Sequence, residues 1–120
     1  MGHRLRKRHL ISVVAFAASC LTGGAALAQD SALVQRGNDV FQDWCAPCHA
    51  PGPRHPGTQA LDTLYKGAKP GALEERTDLT PELTATFVRT GVSVMPPFRK
   101  TEISDADLAA LAAYLAPKAP

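Results

Sequence analysis

Apolar residues recur at i, i+4, i+7, i+8 and i+11 from Leu33: Leu33, Gly37, Val40, Phe41 and Trp44. That is one face of a 3.6-residue period, and it predicts an amphipathic helix capped by Ser31 and running to about Cys48. Gly37 lies on that face although glycine weakens a helix by about 1 kcal/mol relative to alanine. Its presence there implies close approach by another backbone. "APGPRHPGT", Ala50 to Thr58, predicts a tight irregular loop, because its prolines and glycines forbid regular structure. A short helical piece is expected around Gln59 to Tyr65. Lys66 to Asp78, of mixed charge and with two glycines, reads as a surface loop with room for one turn.

"LTPELTATFVRTG", Leu79 to Gly91, predicts a second clear helix. Thr80 caps it, Pro81 takes the first helical position where no N–H is needed, and Gly91 ends it. Leu83, Phe87 and Val88 form its expected buried stripe. Val92 to Glu102 reads as an extended loop stiffened by Pro96 and Pro97. Ser104, with Asp107 three residues on, predicts a capping box for a last helix. That helix carries Leu108, Leu111, Tyr114 and Leu115 on one face and is closed by Pro117. No strand alternation and no internal repeat appear, so the predicted class is all-α.

The first residues change the picture of the compartment. Arg4, Arg6, Lys7 and Arg8 precede an apolar stretch from Leu10 to Leu21, and Ala26-Leu27-Ala28 supplies small residues where a signal peptidase reads. This order of parts predicts an export signal, residues 1–28, cleaved after Ala28, and a periplasmic product. The stretch is shorter than the roughly 20 residues a membrane span needs. Cys20 lacks the large aliphatic residue expected ahead of a lipidated cysteine. Residues 29–120 then form one domain of 92 residues. Four of the thirteen Lys and Arg fall in 1–28 and none of the eleven Asp and Glu, leaving nine against eleven, a net charge of −2 with the histidines neutral. With no basic stripe, nucleic acid is not an expected partner, and membrane contact is expected to be weak or indirect.

After cleavage only Cys45 and Cys48 remain of the three cysteines, within "DWCAPCHA". A disulfide between them would close a very small loop and constrain the unfolded chain least, which makes it a poor staple. A structural zinc site needs four ligands, and the candidates Cys45, Cys48, His49 and His55 are crowded into eleven residues with His49 adjoining Cys48. The letters Trp-Cys-Ala-Pro-Cys suit a thiol oxidoreductase, but that chemistry wants the cysteines at a helix start after a strand, with a βαβ pattern around them. Cys-x-x-Cys-His is also the signature for covalent attachment of c-type haem. Cys45 and Cys48, at i and i+3, project from one side of a helical turn, and His49 follows as an iron ligand.

A haem iron held by one histidine needs a second strong ligand to act as a simple electron carrier, and methionine is one known solution. Met95 is the one methionine of residues 29–120, in the proline-stiffened loop. His55, six residues after His49, is the competitor; a surface or propionate-facing role suits it better. A ligating histidine usually donates its other N–H to a carbonyl, and Pro56 is the expected acceptor for His49.

These residues resemble the class I c-type cytochromes. Gly37 and Phe41 stand eight and four residues before Cys45, and Leu111 and Tyr114 match the hydrophobic–aromatic pair of that family's last helix. The resemblance implies crossed N- and C-terminal helices around one covalent haem c. "FVRTGVSVMPPFRKTEISDADLAALAAYL" is more narrowly similar to small cytochromes of the p-cresol methylhydroxylase type, which pair with flavin dehydrogenases. It implies a carrier that takes single electrons from a flavoprotein dehydrogenase of small organic substrates and passes them to a respiratory acceptor, and that is not itself an enzyme. A haem sensor with a labile Met95 and a thiol oxidoreductase remain the rival classes.

Overall fold

The computed structural model describes residues 22–117. The charged and apolar parts of the expected export signal lie outside the described residues. The elements are all helical: α1 Thr22–Trp44, α2 Ala46–His49, α3 Pro56–Tyr65, a 3-10 turn Leu73–Glu75, α4 Pro81–Thr90 and α5 Asp105–Leu115. The only β-type pairing among the described residues is an isolated bridge between Val92 and Met95.

Helix α1 departs from expectation at both ends. It is already helical at Thr22, the first described residue and well before Ser31, and Ala25 to Gln29 are strong helix formers that carry the run through. Ser31 is therefore an interior residue and not the cap. The helix stops at Trp44 because Pro47 has no N–H to continue the ladder. Cys45, at φ −113° and ψ −41°, is the hinge, and α2 restarts on the other side with Pro47 in its first turn. Helix α3 starts at Pro56, earlier than the expected Gln59, with the proline at its opening, and ends on left-handed Lys66 at φ 49°.

The later caps form as the sequence predicts. The Leu83 amide donates to Thr80 Oγ1 at 3.2 Å, and Gly91 leaves α4 at φ +66°. The Asp107 amide donates to Ser104 Oγ at 3.1 Å, and the Ser104 hydroxyl donates to Asp107 Oδ2 at 2.7 Å. Ile103, fully buried just ahead of the cap, joins the same core as Leu108 four positions into the helix. This is a hydrophobic staple that fixes the entry of the chain into α5.

Helices α1 and α5 form the main contact of the fold. At their crossing a Cβ on Gly37 would lie 2.1 Å from the Ala110 carbonyl oxygen and 2.7 Å from Tyr114 Cβ. Only a glycine fits, which explains its place on an apolar helix face. Phe41 and Tyr114 stack beside it with ring centroids 5.7 Å apart, and Arg36 pairs with Asp107 at 2.7 Å. Val40, Phe41, Val88, Ile103, Leu108, Leu111 and Leu115 make the core, with α4 packed on α5.

Three expected core positions are not buried. Leu33, Trp44 and Phe87 keep 41%, 44% and 40% of their surface. Leu33 lies four residues before Gly37, outside the crossing. In α4 the buried line is Thr84 and Val88, which rotates Phe87 off the packed face. Trp44 meets Phe98 edge-on at 5.9 Å.

The segment from Lys66 to Asp78 is also less superficial than its composition suggests. Ala72 and Arg76 are buried. The Arg76 guanidinium binds Asp78 through Nε at 2.5 Å and Nη2 at 2.8 Å, and donates from Nη1 to the Tyr65 hydroxyl at 3.1 Å. Lys69 reaches Asp78 at 2.8 Å, and both cations sit over the Tyr65 ring, at 4.8 and 4.9 Å. The Gly71 amide donates to Asp62 Oδ1 at 2.8 Å, tying this segment to α3. No described helix is long and apolar enough to cross a membrane.

Candidate functional site

The break after Trp44 gathers the motif into one turn. The amides of Cys48 and His49 both donate to the Cys45 carbonyl, at 3.0 and 2.8 Å, and the Cys45 amide donates back to Phe41 at 2.9 Å. Cys45, Cys48 and His49 are thus held as one rigid unit at the end of the helix that crosses α5. Both cysteines are free thiols. Cys45 packs against the core while Cys48 is exposed.

Burial pushes the Cys45 thiol up to about 12, with a smaller contribution from the neighbouring Cys48. A thiol redox enzyme needs the opposite, a depressed first thiol at a helix start. No strand precedes the motif among the described residues. Both observations run against the thiol oxidoreductase reading. Nor do three or more His, Cys, Asp or Glu side chains converge on a metal-ion site among the described residues.

His49 is seated against the start of α3. A Cβ at Gly57 would lie 2.7 Å from His49 Cε1, 2.8 Å from the Cys48 carbonyl oxygen and 2.9 Å from His49 Nδ1. Gly57 is a position the sequence reading missed; its signal was the Pro-Gly pair directly after His55. Burial lowers the His49 pKa, keeping the ring neutral, which is the form that ligates a metal. With the Nδ1–Cε1 edge on Gly57, Nε2 is the nitrogen left to face a ligand.

The expected bond from His49 to the Pro56 carbonyl is not made. His49 Nδ1 is buried without a hydrogen-bond partner. Pro56 opens α3, and a first-turn carbonyl points along the helix axis toward the residue four further on, away from a ring beside the helix start. His55 is the residue before that helix, and its Nδ1 lies 3.3 Å from the Pro47 carbonyl, which joins the α3 start to the motif turn. Thr58 Oγ1 adds a second tie, donating to the Ala50 carbonyl at 2.8 Å.

Met95 sits in a segment more ordered than an extended loop. Its amide donates to the Val92 carbonyl at 2.9 Å and its carbonyl accepts from the Val92 amide at 3.0 Å. The two intervening residues make a tight turn with Ser93 left-handed at φ 54°. Gly91 makes the close packing possible: a Cβ there would lie 2.6 Å from the Met95 carbonyl oxygen and 2.8 Å from the Pro97 nitrogen. Beyond the prolines, the Phe98 amide donates to the Val88 carbonyl at 2.8 Å, and Arg89 Nη1 donates to the Phe98 carbonyl at 3.0 Å. Met95 is half-buried. A methionine is thus presented on backbone fixed at both ends.

A family model described as cytochrome c oxidase, cbb3-type, subunit III matches residues 32–115, from the first helix through the last. The chain belongs to this family of cytochrome c domains. Searches of curated proteins and of solved structures give no match. The fold is accordingly the all-α class I cytochrome c fold, and the protein is a haem-based electron carrier rather than an enzyme. The residues of this cytochrome fit its cofactor. It presents two thiols one helical turn apart, a half-buried imidazole with its Nδ1 covered, and large apolar side chains, Trp44 and Phe87, that the protein itself leaves uncovered.

Proposed function

We propose that residues 29–120 are an exported, periplasmic, single-haem electron carrier in which Cys45 and Cys48 hold haem c by thioethers and His49 and Met95 are the axial ligands. The observation that carries this reading is the motif turn: both cysteines and a half-buried His49 on one rigid unit, in a chain whose other candidate ligand, Met95, is fixed by its own backbone. Bound iron porphyrin supplies a one-electron couple. The chain's own part is to orient and tune. Gly57 seats the imidazole and Gly91 with Pro96 and Pro97 fixes the thioether. The sulfur of Met95 favours the reduced state, and a core of low polarity from Phe41, Leu83, Phe98 and Leu111 disfavours the additional charge of the oxidised one.

The electron donor in this proposal is a dehydrogenase of small organic substrates, of the flavoprotein type, with a respiratory acceptor downstream. The likeness of Phe87 to Leu115 to dehydrogenase-partner cytochromes supports it. The matched family's description favours a second reading, in which the partner is a terminal oxidase. Stopped-flow reduction by each partner class, and oxidation by an oxidase-containing membrane, separates the two.

Optical spectra of protein matured in the periplasm test the ligand set. The expected ferric form shows a sulfur-to-iron charge-transfer band, and the haem stays with the polypeptide on acid–acetone extraction. Met95→Ala should abolish that band and lower the potential; an unchanged spectrum ends the assignment. Ready binding of carbon monoxide by the reduced wild type would favour the sensor reading instead. Amino-terminal sequencing of the exported protein should begin at Gln29.

A further inference from the structure

We propose that Arg89 is a positioning residue for Met95, an inference that rests on the reading of Met95 as an axial ligand. Arg89 lies in the last turn of α4, with its side chain mostly covered. Its planar guanidinium spans two acceptors. Nη1 donates to the Phe98 carbonyl and Nη2 to Asp105 Oδ1, each at 3.0 Å. Phe98 closes the methionine segment and Asp105 is the first residue of α5, so one side chain clasps the end of α4, the end of the segment and the start of α5. An arginine suits this role because its fork holds both acceptors in a fixed plane, which a lysine ammonium does not.

Phe98 is the point through which this clasp acts. Its amide is already bonded to Val88, so both peptide groups flanking its Cα are tied to α4, one through backbone and one through Arg89. Its ring meets Trp44 edge-on at 5.9 Å, and Trp44 adjoins Cys45. A path of direct contacts therefore joins Arg89 to Phe98, then to Trp44 and the motif turn. Gly91 and the Val92–Met95 bridge hold the opposite end of the segment. With both ends fixed, the distance between the methionine backbone and the motif is set by the protein. Releasing the Arg89 end gives Met95 freedom to swing away. Asp105 is shared with Lys100 at 2.7 Å, so the carboxylate is held in place independently of Arg89.

The test compares haem-loaded wild type with Arg89→Ala, Arg89→Lys and Asp105→Asn. It reads amide hydrogen exchange at Phe98 and Leu111, and the pH at which the ferric sulfur-to-iron band is lost. In Arg89→Ala, exchange at Phe98 should accelerate about tenfold or more while Leu111 is unchanged, the loss expected for a charge-assisted bond to a carbonyl. The band should disappear at a pH about one unit lower, since a weaker hold on the methionine yields more easily to a competing ligand. Arg89→Lys should fall between, and Asp105→Asn should give the smallest change because the bond to Phe98 remains. Wild-type values of both readouts in Arg89→Ala overturn the proposal, as does equal acceleration at Phe98 and Leu111, which would mean general loosening. If Arg89→Ala does not fold, wild-type behaviour of Arg89→Lys overturns it. Absence of the band from wild type would refute Met95 ligation itself, and exchange at Phe98 would still decide whether Arg89 holds the segment.

Discussion

Two irregular segments, Lys66–Asp78 and Val92–Phe98, are fixed by opposite means. The first is held by side chains: Arg76 threaded between Asp78 and Tyr65, with Lys69 closing the cluster. The second is held mainly by backbone: the Val92–Met95 bridge, the Phe98–Val88 bond, a glycine with no room for a Cβ, and two consecutive prolines. A segment that presents one ligand at a set place, the role proposed for Val92–Phe98, gains from backbone fixing, because fewer soft torsions lie between scaffold and ligand. A segment that only has to cover the core can rely on charges, which tolerate small shifts.

That contrast can be broken first at Gly91. Gly91→Ala combines a left-handed φ of +66° with contacts of 2.6 Å to the Met95 oxygen and 2.8 Å to the Pro97 nitrogen. It should destabilise the fold by about 3 kcal/mol, read as a lowered urea midpoint with unchanged slope. In the other segment, Arg76→Ala removes a buried cation and leaves Asp78 and the Tyr65 hydroxyl without that donor. Because Asp78 is partly solvated and keeps Lys69, the expected loss is smaller, about 2 kcal/mol in the same assay.

Acid should separate the two segments further. Hydrogen bonds from Arg76, and then from Lys69, hold the Asp78 carboxyl well below the ordinary carboxylate range. A depressed carboxylate contributes stability that is fully present above its unfolded value of about 4 and is lost as pH falls below it toward the folded value. Thermal unfolding should therefore steepen in its pH dependence below about pH 4, and Asp78→Asn should flatten that slope. The Val92–Phe98 segment has no such carboxylate inside it. The smallest effect is expected at the tip of the turn, where Val94 is 96% exposed. Val94→Ser should leave stability within about 0.5 kcal/mol of wild type, and a larger loss would mean that the tip is packed against something.

The same contrast explains what could be read from the chain. Caps, prolines and stop glycines act within a few residues, so Thr80, Pro81, Gly91 and Ser104 announced α4 and α5 directly, and Gly37 announced the crossing by being out of place on an apolar face. The motif turn was equally local. Arg76 was not legible, because its burial depends on Tyr65, eleven positions away and on another element. The helix upstream of Ser31 was not legible because a serine that can cap a helix can also sit inside one when helix formers such as Ala25 to Gln29 precede it. The expected Pro56 acceptor is not found for a directional reason: its carbonyl belongs to the helix axis, and it is Gly57 that lies against the ring.

The glycine crossing also orders events in time. Arg36 and Asp107, which clamp that crossing, are 71 positions apart. Contacts across so long a stretch are slow to form, since the whole intervening polymer must be brought round first. Cys45 is partly packed against the interior that this crossing completes, so its sulfur is less accessible once the two helices have met than before. If Cys45 carries a thioether, as proposed, that bond forms most easily before the crossing closes, and a variant that folds faster should be modified less completely.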